Sequence, residues 1–160
     1  MAIKRMNHAV LYVRDARRSA DFYRDVLGFR TVAEMPGGAF LQAPDSTNDH
    51  DIAFFTIGAG AGPSAAGRST VGLYHLAWEV GTLRDLVEVR RALADAGALV
   101  GESDHGTTKS LYAHDPDGLE FEVCWVIPAD LLTGDEVMTT TRLDLDAELA
   151  RYGADTVGGR

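Results

Sequence analysis

The chain repeats itself. Asn7-His8-Ala9-Val10-Leu11-Tyr12-Val13 and Tyr74-His75-Leu76-Ala77-Trp78-Glu79-Val80 are both short runs rich in β-branched and aromatic residues. Each has a histidine in second place, and the two histidines are 67 residues apart. A helix pattern follows each run. Asp15 can cap a helix ending near Leu27, with Phe22, Tyr23, Val26 and Leu27 on one face and Gly28 at the stop. Thr82 and Asp85 form a capping-box pattern ahead of Leu83, Leu86, Val87, Arg90 and Leu93, with Gly97 closing the segment.

Three strand-like stretches then follow in each half. They are Arg30–Met35, Ala39–Ala43 and Asp51–Ile57 in the first, and Leu99–Ser103, Ser110–His114 and Leu119–Ile127 in the second. Turn residues separate them: Pro36-Gly37-Gly38, Pro44 to Asn48, and Asp115-Pro116-Asp117-Gly118. The expected fold is α+β, with two tandem βαβββ modules and a short C-terminal extension. The expected organisation of the 160 residues is a first module over 1–60, a linker over 61–71, a second module over 72–128 and a tail over 129–160. The tail is expected to pack over a partner module or subunit, with a short amphipathic helix from Asp144 to Tyr152.

Composition narrows the function classes. At 46% apolar and 24% charged the chain reads as an ordinary globular protein. A net charge of −9 without a basic stripe argues against a nucleic-acid or anionic-membrane partner. One cysteine, Cys124, excludes an intrachain disulfide and points to a reducing cytoplasm. It is read as a buried small hydrophobe. Met1 to Arg5 leads directly into a strand-like run without a signal-peptide core, and no apolar stretch is long enough to span a membrane. Edge strands and the loose tail suggest a homo-oligomer, a dimer or higher.

Three side chains carry the metal argument: His8, His75 and Glu122. Alternate residues of a strand face one side, so histidines at matching places in two related strands can converge. Glu122 lies in the last strand of the second half, on the parity of Glu120 and Cys124. Two imidazoles and a carboxylate suit non-haem Fe(II) with open positions, and Mn(II) or Zn(II) are chemically tolerable. Singly, each histidine fits a hydrogen-bonded core residue and Glu122 fits a water-facing strand position. The repeat favours ligation, because it supplies matching histidines.

These features resemble the vicinal oxygen chelate superfamily of glyoxalases, bleomycin-resistance proteins, fosfomycin-resistance thiol transferases and extradiol dioxygenases. The resemblance covers about Ile3 to Pro128 and implies that the two modules form a curved mixed sheet around a metal site. Within it, Asp115-Pro116-Asp117-Gly118-Leu119-Glu120-Phe121-Glu122 resembles the closing motif, which implies Glu122 rather than Glu120 as the ligand. The stretch from His105 through Leu111, Tyr112 and Asp115 to Glu122 resembles the signature of extradiol ring-cleaving dioxygenases, with Ser103 as a departure two residues before His105. His50-Asp51-Ile52-Ala53-Phe54 resembles the strand that carries that family's acid-base histidine.

The resemblance implies Fe(II), or alternatively Mn(II), on His8, His75 and Glu122. It implies His50, His105 and Tyr112 as catalytic side chains acting on a small aromatic diol and O2. His50 would move protons, His105 would hydrogen-bond a substrate oxygen, and Tyr112 would orient the diol. Phe54, Phe55 and Trp78 are expected in pocket or core walls. His114 matches no family role. The alternatives are a Mn(II)-dependent thiol transferase, a glyoxalase-like enzyme and a metal-free drug-binding protein. A glyoxalase would want a further ligand in Ile52-Ala53-Phe54-Phe55-Thr56, which has none.

Overall fold

A computed structural model describes residues 2–159. Met1, which opens the expected first module, and Arg160, which ends the expected tail, lie outside the described residues. The chain forms two compact units, residues 1–64 with 116–118 and residues 65–115 with 119–160.

The first unit begins with β1 (Ala9–Val13), α1 (Ala16–Leu27), β2 (Arg30–Met35), β3 (Gly38–Gln42) and β4 (Ile52–Thr56). The four strands form one mixed sheet in the order β1-β4-β3-β2, with β1 and β4 parallel and the other pairs antiparallel. Asp15 caps α1 by accepting from the backbone N–H groups of Arg17 (2.9 Å) and Arg18 (3.2 Å). Gly28 ends the helix at φ 74°, a left-handed conformation that costs glycine no steric penalty. The buried stripe Ala16, Ser19, Ala20 and Tyr23 packs α1 on one face of the sheet, where Val13, Leu41, Ile52 and Phe54 are also buried. Burying each of the larger side chains contributes about 1.5–3 kcal/mol against chain entropy. On the opposite face lie Val10, Tyr12, Phe40 and Phe55 in alternation with that core.

The second unit repeats the pattern with β5 (Leu76–Glu79), α2 (Leu83–Asp95), β6 (Leu99–Asp104), β7 (Thr108–His114) and β8 (Glu120–Val126). Its sheet runs β5-β8-β7-β6, again with only the first pair parallel. The expected capping box is present: the Thr82 hydroxyl accepts from Asp85 N–H, and the Asp85 carboxylate accepts from Thr82 N–H at 2.9 Å. Leu83, Leu86 and Leu93 of α2 are buried, as are Leu111, Ala113, Phe121, Val123 and Trp125 of the sheet. The duplication extends to irregularities, since a register shift interrupts β2 between Thr31 and Ala33 and β6 between Leu99 and Gly101.

The tail departs from the repeat and packs on the second unit. After a 3-10 turn at Ala129–Leu131, residue Thr141 bridges Asp104, and Asp144 caps α3 (Leu145–Tyr152). Arg84 pairs with Asp155 at 2.7 Å, Trp125 Nε1 donates to the Thr156 carbonyl at 3.2 Å, and Val157 bridges Thr82. Glu148 of α3 lies 3.1 Å from the Lys109 ammonium, which also pairs with Asp104 at 2.7 Å. The Lys109 side chain is only 2% exposed, so both carboxylates serve to hold a buried charge. Among the described residues no helix is long and apolar enough to cross a membrane.

Candidate metal and ring-binding site

The two histidines of the repeat sit one residue ahead of the strands expected to contain them, because β1 starts at Ala9 and β5 at Leu76. Strand alternation still fixes the faces they share. In the first unit His8 is on the parity of Val10 and Tyr12, opposite the face covered by α1. In the second, His75 is on the parity of Ala77 and Glu79, and Ala77 lies beside Glu122 in the parallel register.

The first unit brings His8 and His50 together. Their rings stack at 4.3 Å between centroids with 29° between planes, and Phe40 meets His50 edge-on at 5.3 Å. A buried carboxylate holds this arrangement. Asp51 accepts from Ala43 N–H (2.8 Å), Ser46 Oγ (2.7 Å) and Asn48 Nδ2 (2.7 Å), which folds the 43–51 loop back on itself. Asn48 Nδ2 also donates to the Asn7 carbonyl at 2.7 Å, tying the loop that presents His50 to the residue preceding His8. The remaining ring contacts are local, with Asn7 Oδ1 2.7 Å from His8 Nδ1 and Asp49 Oδ2 3.0 Å from His50 Nδ1. Residues 116–118 also cluster with this unit, where the Asp117 carboxylate accepts from Arg14 backbone N–H at 2.6 Å and from its guanidinium at 2.9 Å.

The second unit brings His75, Glu122, His105 and Tyr112 to one sheet face. His75 Nε2 is 3.1 Å from Glu122 Oε2, and Ser110 Oγ donates to Glu122 Oε1 at 2.5 Å. Tyr112 lies directly across from Glu122 in the β7–β8 register, with its ring 5.8 Å from that of His75. Its hydroxyl is 2.7 Å from His105 Nε2. Burial, followed by the negative charge of Glu122, pushes the Tyr112 phenol up to about 12, so it stays protonated at neutral pH. Sequence reasoning missed Ser110. Its parity with Tyr112 on a strand paired with the glutamate strand was the available signal.

Two other expectations fare differently. Cys124 is not a core residue; it is half-buried and points to the same face as Glu122, because core positions on β8 are the odd ones. Burial and then the charge of Glu122 push its thiol up to about 12, which leaves it a neutral, weakly nucleophilic group. His114 is exposed, with Nε2 3.7 Å from Glu120. Of the aromatic candidates, Phe54 is fully buried in the core, whereas Phe55 faces the open side of its sheet.

Among the described residues no three His, Cys, Asp or Glu side chains already form a cage for an ion. The donor set within the second unit nonetheless fits one. His75 Nε2 and Glu122 Oε2, 3.1 Å apart, present two metal-ligating atoms to each other, while Nδ1 of His75 is buried without a hydrogen-bond partner, 3.9 Å from Glu120 Oε1. A divalent cation between Nε2 and Oε2 would satisfy both of those atoms.

Residues 5–123 match the model of the Glyoxalase/Bleomycin resistance protein/Dioxygenase superfamily. The chain belongs to this superfamily. It is 30% identical to a catechol-2,3-dioxygenase of Bacillus subtilis (strain 168), over 92% of this chain and 52% of that protein. It is 36% identical to biphenyl-2,3-diol 1,2-dioxygenase 3 of Rhodococcus globerulus, over 71% of this chain and 59% of that protein. The chain therefore spans between half and three fifths of the length of these two relatives. In fold it is similar to a crystal structure of a glyoxylase/bleomycin resistance protein/dioxygenase domain from Frankia sp. EAN1pec, with a TM-score of 0.64 at 23% identity, covering 77% of this chain and 92% of that one.

Proposed function

We propose that the protein is an Fe(II)-dependent extradiol dioxygenase that opens the ring of a catechol-type substrate with O2. The observation that carries this reading is the arrangement on the open face of the second sheet. There His75 and Glu122 stand 3.1 Å apart beside Tyr112, which is itself linked to His105 at 2.7 Å. A metal-binding pair alone would suit many members of the superfamily. The added His105–Tyr112 pair, together with His50 on the loop just ahead of the last strand of the first module, is the set that the resemblance to extradiol dioxygenases implies. The names of the two dioxygenase relatives support the same substrate class.

In this reading His8, His75 and Glu122 hold the metal. Bound Fe(II) would supply adjacent open positions for two diol oxygens and for dioxygen, and a route for electrons between them. The other roles belong to side chains. Ser110 holds Glu122 in place by donating to the oxygen that does not face His75. His50 takes the proton of a diol hydroxyl as the substrate docks and returns it later in the cycle, a task suited to an imidazole whose unperturbed pKa is roughly 6.5. Phe40 and Phe55, which meet at 5.8 Å on the open face of the first sheet, offer ring edges to an aromatic substrate. Tyr112 and His105 orient the diol. We also propose that the chain acts as a homo-oligomer, a dimer or higher, to be checked by its hydrodynamic mass.

The test is anaerobic reconstitution with Fe(II), followed by a panel of catechols with oxygen uptake and visible absorbance recorded together. Stoichiometric oxygen consumption with a yellow ring-opened product is expected. Confirmed iron occupancy without uptake on any catechol would overturn the reading and favour a non-redox Mn(II) enzyme.

A further inference from the structure

The C-terminal segment reaches a group that the proposed reaction needs. Asp104, at the end of β6, exchanges both backbone hydrogen bonds with Thr141, at 2.9 and 3.0 Å. Gly106 lies against the Val137 carbonyl so closely that a Cβ there would come within 2.5 Å of it, and its φ of +82° also favours glycine. Lys109, buried between Asp104 and Glu148, anchors the same segment from the other face of the sheet. Residues 137–141 thus form a strap across the β6–β7 hairpin, hydrogen-bonded to Asp104 at one end and packed on Gly106 at the other.

At the centre of the strap the Thr139 carbonyl oxygen is 2.8 Å from Nδ1 of His105. A carbonyl oxygen only accepts hydrogen bonds, so this contact requires a proton on Nδ1. The Thr140 hydroxyl is also near Nδ1, but at 3.4 Å it is the weaker partner, and a hydroxyl can play either role. In a neutral ring with Nδ1 protonated, Nε2 carries the lone pair. The Tyr112 hydroxyl, 2.7 Å from Nε2, must then donate to it.

We propose that the strap 137–141 is a positioning element that fixes His105 as its Nδ1–H tautomer through the Thr139 carbonyl, and thereby fixes Tyr112 as a donor to His105. The Tyr112 oxygen then meets a ligand on the open face only as an acceptor, and a proton delivered to it has a path to His105 Nε2. On such a transfer the ligand O–H bond breaks, a new Tyr112 O–H bond forms, and the original phenolic proton bonds Nε2. The resulting imidazolium keeps Nδ1–H on Thr139. The tautomer is independent of the dioxygenase reading, whereas the role toward a diol rests on it.

The experiment is two-dimensional NMR of the histidine ring nitrogens in the 160-residue chain without added metal, at a pH where His105 is neutral, with its signals assigned by their loss in His105→Gln. The expected pattern is a pyrrole-type Nδ1 and a pyridine-type Nε2. In Thr141→Pro, which lacks the N–H that bonds Asp104, the Nε2–H tautomer should appear as the strap loosens. An Nε2–H tautomer in the unmodified chain overturns the proposal, even if Thr141→Pro fails to fold. So does an unchanged Nδ1–H tautomer in a folded Thr141→Pro chain whose Asp104 amide has lost its protection from exchange. Because the readout needs neither iron nor catechol, a failed ring-cleavage assay with the expected tautomer would count against the dioxygenase reading alone.

Discussion

Ala53 and Glu122 hold the same place in the two sheets. Ala53 lies beside Val10 two residues after His8, and Glu122 lies beside Ala77 two residues after His75. The strands opposite them match too, with Phe40 across from Ala53 and Tyr112 across from Glu122. The duplicated scaffold therefore offers two equivalent positions beside its histidine-led strands and fills one of them with a carboxylate.

If the proposed metal set holds, Glu122→Ala removes its sole carboxylate, since Ala53 cannot substitute. Metal content measured after Fe(II) or Mn(II) loading and gel filtration should fall from about one ion per chain to background. His8→Ala and His75→Ala should do the same, and stoichiometric metal in any of the three would remove that residue from the set.

His50→Phe should retain metal while turnover drops by about 10²-fold or more, the usual worth of an acid-base group. Unchanged kcat on a catechol that the unmodified protein cleaves would end the assignment. Asp51→Ala reaches the same ring indirectly. It strands the Ala43 N–H and frees the loop, and urea unfolding should register a loss of about 1–3 kcal/mol.

Tyr112→Phe should preserve fold and metal but slow catalysis; wild-type kinetics would return the side chain to a packing role. Alkaline titration gives a second check. The folded phenol ionises at about 12, against about 10 for an unperturbed tyrosine. Below pH 10 both states keep the proton and nothing is lost. Between 10 and 12 the unfolded chain gives it up while the folded chain does not, so the stability associated with Tyr112 declines across that window. In Tyr112→Phe this component of the decline should be missing from unfolding midpoints measured against pH.

Lys109→Met leaves Asp104 and Glu148 facing each other without a cation. The expected cost is about 3 kcal/mol in urea denaturation, as for other broken buried pairs, with partial recovery when Glu148→Leu is added. A loss below about 0.5 kcal/mol would show that the pair contributes no more than an exposed one.

Much of the scaffold was legible because local chemistry and tertiary packing agree. The Asp15 cap, the Thr82–Asp85 box and the Gly28 stop all read correctly from spacing alone. The repeat placed His8 and His75 equivalently, although their strands begin two residues later than the pattern suggested and so just after each histidine. What stayed hidden depends on distant partners. Ser110 looks like any strand serine until β7 is paired with β8. Lys109 sits between Thr108 and Ser110 in a polar run, with nothing local to announce that it is buried. The strap contact of Thr139 uses a backbone carbonyl, which carries no signature of residue type. Cys124 was misread because cysteine is buried so often, whereas its parity with Glu122 gave the better guide.

The alternation along β7 guards against misfolding. Lys109, Leu111 and Ala113 face the helices while Ser110 and Tyr112 face the open side. A slip of one residue against β8 would expel the ammonium from its two carboxylates and drive a serine and a phenol into an apolar layer. Mispaired chains would thus be penalised twice, in charge and in packing. The hairpin that displays Tyr112 carries its own proofreading.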